Sequence, residues 1–306
     1  MNNLLEIQSL NKTQLTALIN RSIDFSKNKK QQLLKNKRLA LLFSEVSLRT
    51  KMSFKIGMQL LGGIATTVSI PHLTKEFDGT NREDFLDILK SLEGWVDAFV
   101  IRDYTGKLLE MSLKHTNLPI IDGFCGLNHP TQTIADLAII QKEFKKIKNL
   151  KICCVCPPFG SGVMESFAYG GIIMGADIYF LTPESKYSSK NKSFNKKIKA
   201  LGKKWGGKLT ITTDIKVALS DAKILYVDEW WKNTKNFLDI KLGKLKVDNA
   251  FLQNALPNIK IMHYLPAHHD REITKEILHS KKSIAFEQAE FRLYSAMASL
   301  EYIFNR

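Results

Sequence analysis

The chain has 306 residues, with 45 Lys and Arg against 30 Asp and Glu and a formal net charge of +15. At roughly 100–200 residues per domain this length predicts two domains, each with its own core. The 44% hydrophobic and 25% charged content excludes disordered, collagenous and coiled-coil chains. No apolar run reaches the ~18 residues of a membrane helix and the first residues lack a signal-peptide layout, so a soluble, unsecreted protein is expected.

Short apolar, often β-branched runs are predicted as strands at 38–43, 64–70, 98–102, 119–121, 150–156, 176–181, 209–213, 224–227 and 259–265. Amphipathic segments fill most gaps as helices, among them 84–94, 131–144 and 163–174. Continuous apolar strands separated by helices predict an α/β protein whose doubly wound parallel sheets are covered on both faces. The basic connector after Phe144 is the expected division between two such halves. Ligands of these sheets bind at the carboxyl ends of strands, so the residues following each strand are the ones to examine.

Lysine clusters at 27–38, 142–151 and 186–208 fall between apolar segments with few interleaved aromatics for base stacking. They read as a solvated surface that steers small anions, not as a nucleic-acid face. Cys153 and Cys156 have CxxC spacing but lie within a predicted strand, where they point to opposite faces. With Cys125 and Cys154 they read as buried thiols; no metal site, disulfide framework or cofactor is expected, and a reducing cytoplasm is the natural compartment.

After the first strand, Leu48, Met52, Ile56 and Leu60 share a helix face, although Met52, Phe54, Ile56 and Met58 also alternate as in a strand. Gly62 and Gly63 as a stop and Ser47 as a cap favour the helix. Its start, Ser47-Leu48-Arg49-Thr50, offers N–H groups, hydroxyls and a guanidinium that suit a phosphate. His129, before a helix opened by Pro130, is placed to donate to a carbonyl oxygen, and Gln132 to bond an amide. Arg102 closes the third strand, and Leu265-Pro266 after the last one is placed to expose backbone carbonyls.

Together, Ser47-Leu-Arg-Thr50, Val96 to Arg102, His129-Pro-Thr-Gln132, His263-Tyr-Leu-Pro266 and Ala289-Glu-Phe-Arg292 resemble the aspartate/ornithine carbamoyltransferase family over essentially the whole chain. The resemblance implies a carbamoyl-phosphate-binding domain at 1–145 and an amino-acceptor domain at 146–286. A C-terminal helix at 287–306 returns to the first domain, and the subunits form a homotrimer or a multiple of it. It assigns Ser47, Leu48 (through its backbone), Arg49 and Thr50 to the phosphate. Arg102, His129 and Gln132 go to the carbamoyl group, and Arg292 is a further donor. Thr50, Arg102 and His129 would stabilise the oxygen that gains charge as phosphate leaves. The departing phosphate can take the proton of the amine.

The acceptor half matches the family less closely. Pro157 to Gly162 replaces the Asn-rich loop of ornithine enzymes; Asp228 and Trp230 match, but Lys232, Asn233 and Tyr264 stand where Ser, Met and Cys are usual. Glu229 has the wrong sign for aspartate. Asp228 and Glu229 favour a cationic acceptor, with Tyr264 filling space, Leu265 beside it and Arg82 placed to meet an acceptor carboxylate. Ornithine or a close analogue is the expected acceptor. An N-acetyl- or N-succinyl-ornithine enzyme, which shares Leu48 and Asp78-Gly79 but carries an acidic residue where this chain has Phe124, is the alternative. A non-catalytic paralogue that binds carbamoyl phosphate or a partner is the reading from another class.

Overall fold

The computed structural model describes residues 3–74, 82–157, 160–184, 189, 192–230 and 242–305. Contacts divide the chain into two units: unit 1 comprises Met1–Ala138 and Phe291–Arg306, and unit 2 comprises Ile139–Glu290. The first cut thus falls upstream of the basic connector.

Unit 1 holds four parallel strands, β1 (Arg38–Phe43), β2 (Ile64–Ser69), β3 (Ala98–Arg102) and β4 (Ile120–Asp122), in the order β2-β1-β3-β4. β3 is buried throughout and β1 in all but its first residue, as apolar runs covered on both faces must be. β2 lies at the edge, half-exposed. The helices include α1 (Lys12–Lys27), α2 (Leu48–Leu60), α3 (Ile70–Thr74), α4 (Phe85–Glu93), α5 (Lys107–His115) and α6 (Pro130–Phe144), which runs across the cut. Asn11 and Gln14 form a reciprocal capping box on α1.

α2 forms where the sequence predicts it, but the stripe named above faces outward. Leu48 is 70% exposed, Met52 44% and Ile56 37%, whereas Thr50, Ser53, Phe54, Gly57 and Met58 are buried. Two apolar stripes overlap on this helix, and the one containing Gly57 wins because it admits another helix. A Cβ on Gly57 would lie 3.2 Å from Met297 Cγ.

Unit 2 holds β5 (Lys151–Val155), β6 (Asp177–Leu181), β7 (Lys208–Thr212), β8 (Ile224–Val227) and β9 (Lys260–His263), all parallel, in the order β7-β6-β5-β8-β9. α7 (Gly162–Ile173) is buried from Val163 to Ile173, which matches its nearly unbroken apolar sequence. α8 (Phe194–Trp205), α9 (Ile215–Leu219), α10 (Asn249–Leu252) and α11 (Lys275–Leu278) follow. α12 (Ala285–Phe304) begins in unit 2 and ends in unit 1, where Glu301 pairs with Arg21 of α1 at 2.5 Å and Gln14 reaches Tyr302.

Strand order reverses between β1 and β3 in one sheet and between β5 and β8 in the other. In open parallel sheets such reversals leave a crevice at the carboxyl ends. Thr50, Arg102, Ser161 and Asp228 all follow strands flanking these two points.

Candidate active site

In unit 1 the carboxyl ends of β1 and β3 gather cations. Arg292, buried on α12, donates from Nη2 to Thr50 Oγ1 at 3.0 Å and from Nη1 to Thr131 Oγ1 at 3.4 Å, linking the first turns of α2 and α6. Arg102, also buried, donates from Nη1 to Gly123 O (3.1 Å) and from Nη2 to the Tyr104 hydroxyl (2.5 Å). Its Nε has no hydrogen-bond partner among the described residues. Both hydrogen-bond acceptors of Arg102 are neutral, and its charge also acts on the nearby Asp122 carboxyl. Burial, followed by the charges of Arg292 and Arg102, holds His129 well below the usual imidazole range. His129 is therefore a neutral donor at pH 7, not a third cation.

The turn from 122 to 126 completes this group. Asp122 Oδ1 accepts the N–H groups of Phe124 and Cys125, each at 2.7 Å. Burial nevertheless raises the Asp122 carboxyl to about 7. Gly126 (φ +82°) permits the turn, since a Cβ there would meet Tyr104 O at 2.6 Å. Phe124 adopts φ +105°, a backbone region costing about 1–3 kcal/mol for such a residue. Its ring stacks on His129 (5.0 Å between centroids, 12° between planes) and lies under the Arg102 guanidinium at 5.1 Å.

Ser47 precedes α2 in the cap position, but its side chain makes no capping hydrogen bond, which corrects the expectation of a hydroxyl cap. Arg49 is half-buried, and the Leu48 side chain is exposed. Gln132, buried, donates from Nε2 to Asp136 Oδ1 at 2.7 Å. Thr50, Arg102, His129 and Arg292 are thus brought together, with Gln132 one helical step away. Arg82 is not among them: it is exposed, and its N–H bonds Thr74 O at 3.0 Å.

In unit 2 the corresponding strand ends gather carboxylates. Asp228, buried after β8, accepts at Oδ1 from the Tyr264 hydroxyl (2.6 Å), Ser161 Oγ (3.3 Å) and its neighbour's N–H, Glu229 N (3.0 Å). Its Oδ2 is buried with no hydrogen-bond partner among the described residues. Burial raises Asp228 to about 7 despite these three donors. Tyr264 does more than fill space, because its hydroxyl bonds Asp228 and accepts Glu229 N at 3.2 Å. Glu229 itself is engaged by His268 Nε2 at 3.1 Å. Glu165, buried in the first turn of α7, accepts from Ser189 Oγ at 2.7 Å.

Leu265 N donates to His263 Nδ1 (2.9 Å), which places the imidazole proton on Nε2, 3.3 Å from Glu272 Oε1. Glu272 also accepts His268 N, and both members of the His263–Glu272 pair are fully buried. Leu265 takes φ +59°, with its N–H already used. Among the described residues no group of three His, Cys, Asp or Glu is arranged to hold a metal ion. The four cysteines are buried and none is in a disulfide.

Several sequence expectations, Asp78 and Gly79, Pro158 and Phe159, Lys232 and Asn233, lie outside the described residues, as does part of the 186–208 basic stretch. Sequence reasoning did not single out Tyr104, Ser161, Glu165 or Glu272, and named Phe124 only as a departure from a related branch. The signals available were the position of Tyr104 just after β3 and the acidic character of Glu165 inside an apolar helix.

Two family models match the chain: the carbamoyl-P binding domain of aspartate/ornithine carbamoyltransferase over residues 2–142 and the Asp/Orn binding domain over 148–303. The chain is 33% identical over 312 residues to the ornithine carbamoyltransferase of Methanococcus aeolicus, covering 99% of each chain. Among solved structures it is similar to the ornithine carbamoyltransferase of Pyrococcus furiosus, with a TM-score of 0.87, 28% identity and coverage of 98% and 96%. The anabolic ornithine carbamoyltransferase of Campylobacter jejuni gives 0.88 at 25% identity, with complete coverage of both chains. Matched over nearly its full length by models of both domains, the chain belongs to the aspartate/ornithine carbamoyltransferase family.

Proposed function

We propose that unit 1 binds carbamoyl phosphate, that unit 2 binds the amine of ornithine or a close analogue, and that the chain transfers the carbamoyl group from the first substrate to the second with release of phosphate. The observation that carries this reading is the cluster of Arg102, Arg292, Thr50 and neutral His129 beside the first turn of α2. Ser47, Leu48 N–H, Arg49 and Thr50 take the phosphate at that helix start. Arg102, His129 and Gln132 take the carbamoyl group. The uncharged amine attacks the carbamoyl carbon, its C–N bond forms as the C–O bond to phosphate breaks, and the departing phosphate accepts the amine proton. Arg102, His129 and Thr50 stabilise the charge that grows on the carbonyl oxygen. Loss of one such donor typically costs about 10²–10³ in rate.

On the acceptor side the open Oδ2 of Asp228 is a counter-charge for an ammonium group, and the Leu265 carbonyl is a further acceptor. Arg82 meets an acceptor carboxylate on a neighbouring copy within a homotrimer. The exposed apolar side chains Val46 (97%), Leu48, Met52, Ile56 and Ile64 support such assembly. Four buried cysteines outside any disulfide suit a reducing cytoplasm. Initial rates with carbamoyl phosphate and a panel of ornithine, N-acetylornithine, N-succinylornithine and aspartate test the reading. Ornithine is expected to give the highest kcat/KM; turnover of aspartate alone contradicts it.

A further inference from the structure

We propose that Phe124 and Tyr104 are positioning residues, an aromatic clamp that holds the Arg102 guanidinium and the His129 imidazole in the orientation the transfer requires. This inference rests on the carbamoyl-phosphate site proposed above and adds two residues that never touch the reacting atoms themselves.

The geometry points to a clamp and not to core filling. Phe124 is only partly buried and stands outside the apolar cluster that takes up its neighbour Cys125. Its backbone sits at φ +105°, where glycine would be at ease, as Gly126 is at +82°. A side chain held there indicates that its surroundings over-determine it. Three contacts do so: the parallel stack on His129, the guanidinium of Arg102 at 5.1 Å from its centroid, and the edge of Tyr104 at 5.3 Å and 73°. Tyr104 lies 5.0 Å from the same guanidinium through its ring, and its hydroxyl accepts from Arg102 Nη2.

The clamp is itself anchored at both ends. Asp122 fixes the Phe124 N–H. Asp103 accepts Thr105 N at 3.0 Å and Leu108 N at 2.8 Å, securing the loop that presents Tyr104. Two aromatic faces restrain a cation without neutralising it, whereas a carboxylate in either place would cancel the charge that Arg102 offers to an anion. The stack likewise fixes the plane of the His129 ring, and so the direction of its donor.

Steady-state kinetics on Phe124→Leu, Phe124→Gly, Phe124→Tyr and Tyr104→Leu, each with its thermal unfolding midpoint, test the clamp. Misplacing a catalytic group by an ångström costs up to about 100-fold, so Phe124→Leu is expected to lower kcat by about 10- to 100-fold with the amine KM unchanged within about twofold. Phe124→Gly, which relieves the backbone, should lose as much kcat while unfolding no earlier than Phe124→Leu. Phe124→Tyr restores the ring and most of the rate. Tyr104→Leu, at a more exposed position, gives a smaller loss and keeps the inference testable if a Phe124 variant misfolds. Parent-like kcat in Phe124→Leu and Tyr104→Leu, a kcat loss that merely follows the unfolding midpoint, or failure of Phe124→Tyr to recover rate overturns the clamp alone. An inactive parent overturns the functional reading beneath it.

Discussion

The two units share one architecture and differ in the side chains they set beside the carboxyl ends of their strands. Each is a parallel sheet with a reversal of strand order, and each places its polar residues at the carboxyl ends flanking that reversal. In unit 1 Arg102, Arg292 of α12 and a neutral His129 meet there, with the buried carboxyls of Asp103 and Asp122 engaged by backbone N–H groups. In unit 2 they are Asp228, Glu229 and Glu165, with Tyr264 and Ser161 as hydroxyl donors. The fold supplies the place and the side chains supply the sign.

The largest expected effect breaks the cationic side. Arg102→Ala should lower kcat by about 10³-fold or more, judged from the loss of single oxyanion donors, and this is checked by initial rates on variants whose unfolding midpoint is retained. Next comes the anionic side. Asp228→Asn should raise the amine KM by about 10- to 100-fold, the range of a charge-assisted hydrogen bond, and leave the carbamoyl phosphate KM unchanged. A reversed pattern would break the comparison between the units.

The third effect is a pH dependence. With the Asp228 carboxyl raised to about 7, the parent's amine KM should climb as pH falls through that value, and Asp228→Asn should lose this dependence. Stability has a matching sign. Above pH 7 the buried carboxylate is ionised at a cost, and between 7 and 4 the folded protein holds a proton that the unfolded chain lacks. Asp228→Asn should therefore unfold later than the parent at pH 8, with a gain that shrinks as pH falls from 7 to 4 and is absent at pH 3, as calorimetry across that range will show. The smallest effect sharpens the picture: Ser161→Ala removes one of three donors to Asp228 Oδ1 and should raise the amine KM only about two- to fivefold.

Much of the scaffold is legible in the amino-acid sequence because parallel strands buried on both faces are unbroken apolar runs. β1, β3 and β8 coincide with the runs at 38–43, 98–102 and 224–227. The facing of α2 is not legible, since two overlapping apolar stripes compete and Gly57 decides between them only through the distant Met297. In the candidate site, residues that act through their place after a strand stand out, as Arg102 and His129 do. Those that act through each other do not. Tyr264 meets Asp228 across 36 positions of sequence. Phe124 meets Arg102 and His129 only because its backbone takes a conformation that no propensity favours.

The most direct measurement follows the carbamoyl carbon itself. Incubation of the protein with ¹³C-carbamoyl phosphate and ornithine, read by carbon NMR, should show the label appearing in the ureido carbon of citrulline in step with phosphate release. Label recovered only in cyanate or bicarbonate, with ornithine unreacted, would contradict the account.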